Sequence, residues 1–367
     1  MVPKNRLDRI TLRGFKTIRE LDFAPGPLTV LIGPNGAGKS NFISFFRLLS
    51  WALSDPDNLQ VYVGRHGGAA SLLHDGPTTT HEIETELTIR TDSGENRYSF
   101  RLVYAAADTF IYADERLRYS ADRHQGPAPW QELGAGHRFP QLLARSGDTA
   151  RIIRHVLRRI VVHQFHDTSF TSRMRARWRL HDNRRLKEDA ANIAPVLYRL
   201  RERESFSYQR IVDTVRLILP FFADFELEPS AETILLGWRE RNSDLVFDAS
   251  QASDGMLRII ALITLLLQPV QDLPDVLVLD EPELGLHPYA INVIGGLIRA
   301  ISTRIQAIVA TQSAALVDCF EPEDTVVVER RGRASEFNRL DADELAVWLQ
   351  SYSLSELWEK NVIGGRP

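Results

Sequence analysis

Apolar and polar positions alternate with a period of two from Leu7 to Leu12 and from Leu21 to Phe23, which predicts two strands joined by a turn. Leu28–Ile32 is a continuous apolar run that ends at glycines, and the amphipathic stretch Asn41–Trp51 follows, predicting strand, loop and helix. From Val61 to Tyr112 the pattern changes. Gly67-Gly68 and Asp75-Gly76-Pro77 punctuate it, and alternation over His81–Arg90 and Tyr98–Tyr104 predicts a small antiparallel β lobe. Asp122–Phe139 reads as a surface loop, and residues 145–220 read as mostly helical. Short strands are expected at Phe225–Leu227, Thr233–Trp238 and Leu245–Phe247. After them come a long apolar helix (Gly255–Leu267), a buried strand (Val276–Leu279), a helix (Tyr289–Ser302), a second buried strand (Ile305–Ala310) and a short β/α segment. Apolar strands alternating with helices imply an α/β fold whose parallel or mixed sheet is covered on both faces.

At 367 residues the chain can bury a large core and still carry an inserted lobe. A formal charge of −4 argues against a surface that coats nucleic acid as a whole, but the charge is unevenly placed. Residues 151–210 carry about +9 and the remainder about −13, so this stretch is a candidate contact for nucleic-acid backbone or an acidic partner, or a solvated helical surface with internal ion pairs. The single cysteine, Cys319, excludes an intramolecular disulfide framework and reads as a buried small residue. Met1–Arg13 lacks the apolar core of a signal peptide, and the longest apolar run, Ile259–Leu267, is too short to span a bilayer. A cytoplasmic protein with no membrane partner is expected.

Gly33-Pro34-Asn35-Gly36-Ala37-Gly38-Lys39-Ser40 carries the first chemistry. Its glycines let backbone N–H groups turn inward around phosphates, with Asn35, Gly36 and Gly38 in the cradle. Lys39 can reach the β- and γ-phosphates, and the Ser40 hydroxyl can coordinate Mg²⁺ at a helix start that favours anions. Val276–Leu279 then delivers Asp280 and Glu281, placing one carboxylate to hold Mg²⁺ and the next to polarise an attacking water. Ser253-Asp254-Gly255 opens the long apolar helix and forms a second phosphate-binding cap. One nucleotide in one chain does not need two such caps. A dimer in which each subunit closes on its partner's γ-phosphate accounts for both.

This order, completed by Thr311-Gln312-Ser313, resembles an ABC-type ATPase head, in the branch that holds the RecF and SMC heads and the ATPase half of the OLD nucleases. The opening Leu12–Ile18 is similar to the start of those heads. The stretch Tyr352–Lys360, ending at Ile363-Gly364-Gly365, resembles compact bacterial "predicted ATPases" of the AAA_21-like kind. The resemblance implies three segments: an N-terminal ATPase lobe (1–144) with the phosphate loop and β lobe, a basic helical insertion (145–220), and a C-terminal ATPase lobe (221–367). It implies ATP and Mg²⁺ as cofactors, an ATP-sandwiched homodimer, and Ser253 and Gly255 acting in trans. Residues 283–288 would cross the dimer interface, and His287 within them reads as a packing or hydrogen-bonding residue. Many ABC heads place a histidine on the γ-phosphate where Gln312 stands here. Glutamine can donate a hydrogen bond but carries no extra proton, which implies slow turnover.

Val326–Glu329 looks like the strand that begins the Toprim domain of an OLD nuclease, but the rest of that domain is missing, so no intrinsic nuclease is expected. Two uses of such an engine stand open: an ATP-gated scaffold or regulator for a separate effector in anti-phage defence, and a RecF/SMC-like DNA-maintenance ATPase. For a glutamine that senses Mg²⁺, Gln164 is one candidate, with a structural role the preferred reading. His163, His166 and Asp167 read as satisfied structural residues rather than a metal site.

Overall fold

In the computed structural model, which describes residues 5–121 and 128–366, the opening alternation forms β1 (Arg6–Phe15) and β2 (Ile18–Phe23), an antiparallel pair. β3 (Leu28–Ile32) is buried throughout and runs through the glycine loop into α1 (Lys39–Ala52). The next element is α2 (Asn58–Arg65), not the edge of the β lobe expected from Val61. Leu59, Tyr62 and Val63 recur at helical spacing and bury one face. The lobe itself comprises β4 (Glu82–Thr91), β5 (Gly94–Ala105), β6 (Thr109–Ala121) and β7 (Gln131–Gly134). Of the loop expected over Asp122–Phe139, residues 122–127 lie outside the described residues. Gln131–Gly134 is a strand because it pairs with the edge of β6 despite its polar composition.

Residues 145–220 are part helix and part sheet. They contain α3 (Asp148–Arg158), β8 (Ile160–His163), β9 (Trp178–Arg179), α4 (Ile193–Arg203) and α5 (Ser205–Ile218). β8 pairs in parallel with a core strand, so this stretch contributes directly to the central sheet. Then follow β10 (Phe222–Glu226), β11 (Thr233–Ile234), β12 (Gly237–Glu240), β13 (Val246–Asp248), α6 (Asp254–Leu267), β14 (Val276–Asp280), α7 (Pro288–Ser302) and β15 (Gln306–Ala310). The chain finishes with α8 (Ala314–Val317), β16 (Thr325–Arg331), β17 (Ala334–Arg339), α9 (Ala342–Leu345) and α10 (Leu354–Glu359).

Two large sheets organise these elements. One is antiparallel, in the order β2-β1-β4-β5-β6-β7; the other runs β17-β16-β3-β15-β14-β8 and is parallel except at β17. Strand periodicity divides the interior. Leu31, Val276, Val278, Ile308 and Ala310 point into one core with α1, α3 and the β lobe, whereas Val30, Ile32, Leu277, Leu279 and Val309 point into the other with α4 to α7. β3, β8, β14 and β15 run in the same direction, so the residues that follow them gather at one edge of the sheet, where α/β folds bind ligands. Among the described residues no helix is long and apolar enough to cross a membrane.

Candidate nucleotide site

The phosphate loop is shaped by backbone geometry that requires glycine. Gly33, Gly36 and Gly38 take φ of 145°, 78° and 119°. A Cβ on Gly33 would lie 2.1 Å from the Val328 carbonyl oxygen, and one on Gly38 would lie 2.0 Å from Ser335 Oγ. Ser335 donates to the Ala37 carbonyl at 2.5 Å and its oxygen lies 2.7 Å from the Thr17 hydroxyl, so the β16–β17 hairpin braces the loop from behind. The N-cap of α1 is Gly38, without a side-chain cap and without an acid in the first turn. Its first amides therefore lack side-chain acceptors and carry the positive end of a fourteen-residue helix. Asn35, Gly36 and Ser40 are exposed there.

Lys39 is buried and turns back on its own loop, donating to the carbonyls of Gly33 at 2.5 Å and Pro34 at 3.1 Å. Burial lowers its pKa, while the nearby carboxylates of Glu281, Asp280 and Glu283 act in the opposite direction. Asp280 ends β14, and burial raises its carboxyl above the usual range. Gln164, just past β8, donates from Nε2 to Asp280 Oδ2 at 3.2 Å and accepts from Arg47 Nη2 at 2.7 Å. Gln164 thus stands beside the candidate metal-holding carboxylate, bonded on both sides. His166 also belongs here, its ring nitrogens 3.0 Å from Gln164 Nε2 and 3.1 Å from the Asp280 carbonyl oxygen. His163 is buried with its pKa pushed down to about 4, and Asp167 accepts from Ser169 in a turn.

Glu281 adopts φ 48°, a left-handed conformation costly for a residue with a Cβ. Its N–H donates to the Ala310 carbonyl at 2.8 Å, and its Oε1 accepts from Gln312 Nε2 at 2.5 Å. The two candidate catalytic side chains therefore meet directly. Glu283 holds the second of them: its Oε1 accepts from Thr311 Oγ1 at 2.5 Å and from Gln312 N at 3.2 Å. Burial raises the Glu283 pKa, and its other oxygen is buried without a partner. In the sequence Glu283 is marked only as the first residue of the 283–288 loop, and the signal for its place here is an acid two positions after Glu281.

Ser253 caps α6, accepting from Met256 N at 3.2 Å, and a Cβ on Gly255 would lie 3.3 Å from the Gly285 carbonyl oxygen. Two arginines fix this region. Arg175 donates to the carbonyls of Thr168, Ala249 and Ala252 and pairs with Asp254 at 3.0 Å. Arg258 donates to the carbonyls of Phe165 and His166 at 3.0 Å each and to that of Leu284 at 3.1 Å, joining α6 to the Gln164 loop and to the 283–288 loop. His287 caps α7 by accepting from Tyr289 N. Cys319 is half-buried and packs against Gly295, where a Cβ would be 2.6 Å from its sulfur.

Much of the positive charge in 151–210 is used within the chain. Arg154 and Arg158 donate to carbonyls, Arg159 pairs with Asp275, and Arg199 pairs with Asp272. Arg177, Arg179, Arg184 and Arg203 are exposed.

The architecture matches solved Smc head domains. One, described as the SmcHead bound to the C-winged helix domain of ScpA, aligns with a TM-score of 0.62 at 14% identity over 93% of this chain and 99% of that one. Another is an Smc head domain with an extended coiled coil bound to the C-terminal domain of ScpA, from Pyrococcus furiosus. It gives a TM-score of 0.56 at 13% identity over 94% and 99%. At such identities the likeness establishes the fold. No match is found among curated protein sequences. Fold and family agree on an AAA-type domain with the fold of Smc heads. The chain belongs to the AAA_21 family, described as "AAA domain, putative AbiEii toxin, Type IV TA system", whose model matches residues 28–318.

Proposed function

We propose that the protein binds ATP with Mg²⁺ in the cradle of residues 33–40 and hydrolyses it slowly as a head-to-head dimer. The observation that carries this reading is the convergence of Lys39, Asp280, Glu281 and Gln312 at the ends of adjacent parallel strands beside an uncapped helix start. The donor set suits a metal–nucleotide complex: an exposed Ser40 hydroxyl in the first turn of α1 and a buried Asp280 carboxylate that Gln164 already orients. Bound Mg²⁺ would neutralise charge developing on the β- and γ-phosphates.

The chain's own groups divide the remaining work. Asn35, Gly36 and Gly38 shape the amide cradle, and Lys39 exchanges its loop carbonyls for phosphate oxygens. Glu281 polarises the water whose oxygen attacks the γ-phosphorus as the bond to the β-bridging oxygen breaks, releasing ADP. Gln312 leaves Glu281 and donates its amide hydrogen bond to the γ-phosphate. Ser253 and Gly255 of the partner close the site.

In this reading the dimer is an ATP-gated scaffold or regulator for a separate effector in bacterial defence. The toxin–antitoxin wording of the family description and the partner-bound state of the Smc heads support that direction. Direct duplex-DNA binding by the RecF/SMC route is the rival, and the arginines consumed inside 151–210 count against it. Turnover measured against protein concentration, with and without duplex DNA at two salt concentrations, separates the two. The scaffold reading expects a rate that rises faster than protein concentration and ignores DNA. DNA stimulation that fades with salt would favour the rival, and a chain that sediments as a monomer throughout turnover with ATP and Mg²⁺ would overturn the dimer.

A further inference from the structure

The C-terminal motif Tyr352–Gly365 takes no part in the chemistry above, yet it ends against the phosphate loop. α10 is capped reciprocally by Ser353 and Glu356, and Ser355 anchors it to Asp318 through bonds of 2.9 and 2.7 Å. Trp358 is wholly buried, and its Nε1–H donates to the Gly365 carbonyl. Gly365 N donates in turn to Glu329 Oε1 at 2.6 Å, on the strand beside β3. Gly364 and Gly365 both take positive φ, 79° and 61°. A Cβ on Gly365 would lie 2.5 Å from Val327 Cγ1 and 3.6 Å from Gly33 Cα. Gly33 meets the Val328 carbonyl as well. Val328 of β16 backs the first residue of the phosphate loop, and the tail is bonded to Glu329 on that same strand, close enough that a side chain on Gly365 would reach Gly33, whose carbonyl Lys39 uses.

We propose that residues 353–365 form a clamp that sets nucleotide affinity by fixing Gly33, with Glu329 and Trp358 as its positioning residues. The proposal rests on the nucleotide reading of residues 33–40. A cradle of backbone amides binds tightly only when its conformation is already ordered, and ordering it at the moment of binding subtracts from affinity. The clamp acts at the base of the loop, whereas Glu281 and Gln312 follow other strands. Loosening it therefore raises the dissociation constant and KM of ATP and spares kcat.

The test uses the full chain, a fluorescent ATP analogue for equilibrium binding, steady-state kinetics and thermal melting. Glu329→Ala removes the acceptor of Gly365 N and should weaken binding roughly tenfold, the scale of one hydrogen bond to a charged group. Glu329→Gln retains an acceptor oxygen and should recover affinity to within about twofold of wild type. Trp358→Phe keeps the ring, loses the donor and should weaken binding roughly threefold, with kcat preserved. Lower melting temperatures with unchanged affinity in Glu329→Ala and Trp358→Phe would overturn the clamp and leave the tail a purely stabilising element. Wild-type protein that binds no nucleotide would overturn the site reading and the clamp together; wild-type binding with indifferent variants would overturn the clamp alone.

Discussion

Replacing Arg258 by alanine tests whether the three loops around the candidate site act as one body. The guanidinium makes two part-buried bonds, to the carbonyls of Phe165 and His166, and an exposed one to that of Leu284. Hydrogen bonds from an ionised donor contribute about 1.5 kcal/mol or more each, and the exposed one is replaced by water at little cost, so the loss should be about 3 kcal/mol. With an unfolding entropy near 2.1 cal/mol/K per residue, a chain of this length should melt about 4 °C lower. Arg258→Lys retains charge but not the fork that reaches three carbonyls, so its melting point should fall in between. Function should suffer more than stability. The bonded loops carry Gln164 and Gly285, and misplacement by about 1 Å can cost up to roughly 100-fold in rate. Turnover would be assayed about 15 °C below the lower melting point, where both proteins are folded. Wild-type turnover in Arg258→Ala, with the expected loss of stability, would refute the coupling.

Three further outcomes follow from the same geometry. Glu281→Gln should lower turnover by about 10² to 10⁴ while ATP binding persists, and single-turnover assays beside equilibrium binding would reveal a normal rate if the role is misassigned. Asp280→Asn should weaken ATP binding in Mg²⁺ yet strengthen it in EDTA, because the carboxylate helps only through the metal; titrations showing the same sign in both media would contradict this. His163 is buried with its pKa pushed from 6.5 down to about 4, so the unfolded chain takes up the proton first as pH falls. Its contribution is therefore intact above pH 6.5 and declines by about 3 kcal/mol towards pH 4, and denaturant titrations of His163→Leu should show a flatter acid limb than wild type.

What the sequence made legible was contiguous. β3 with its glycine loop, β14 ending in Asp280 and Glu281, and α6 opening at Ser253 each bring pattern and chemistry together within a dozen residues, and each stands within two residues of its expected place. Residues that reach the site across long separations were not legible. Arg47 meets Gln164 across 117 positions, Gln164 meets Asp280 across 116, and Arg258 meets Phe165 across 93. β8 is four residues between charged segments, and only its pairing with β14 makes it a strand. Charge counting could not separate an arginine that faces solvent from one that closes a loop, which is why the count over 151–210 leaves a partner-binding face and an internally paired surface both open. α2 was missed for the opposite reason: it is short, lies among turn signals, and declares itself only by the face it buries.

The charge balance of the cleft explains why its groups pair with one another. Asp280, Glu281 and Glu283 face two cations, Lys39 and Arg47, and burial raises the first and third of these carboxyls as it lowers Lys39. The α1 N-terminus adds only about half a positive charge, too little to offset three carboxylates against an incoming polyphosphate. Lys39 therefore donates to loop carbonyls, and Gln312 donates to Glu281, satisfying groups that would otherwise be buried unpaired. Nucleotide and its cation must replace those bonds rather than fill a vacant cavity, so the differential gain on binding is small unless both arrive together. In the proposed cycle the same exchange would release Glu281 towards water and Gln312 towards phosphate in one rearrangement, with Glu283 holding the Gln312 backbone in place. On the proposed reading, such a site would stay idle until the metal–nucleotide complex pulled both side chains apart, as an ATP-gated switch requires.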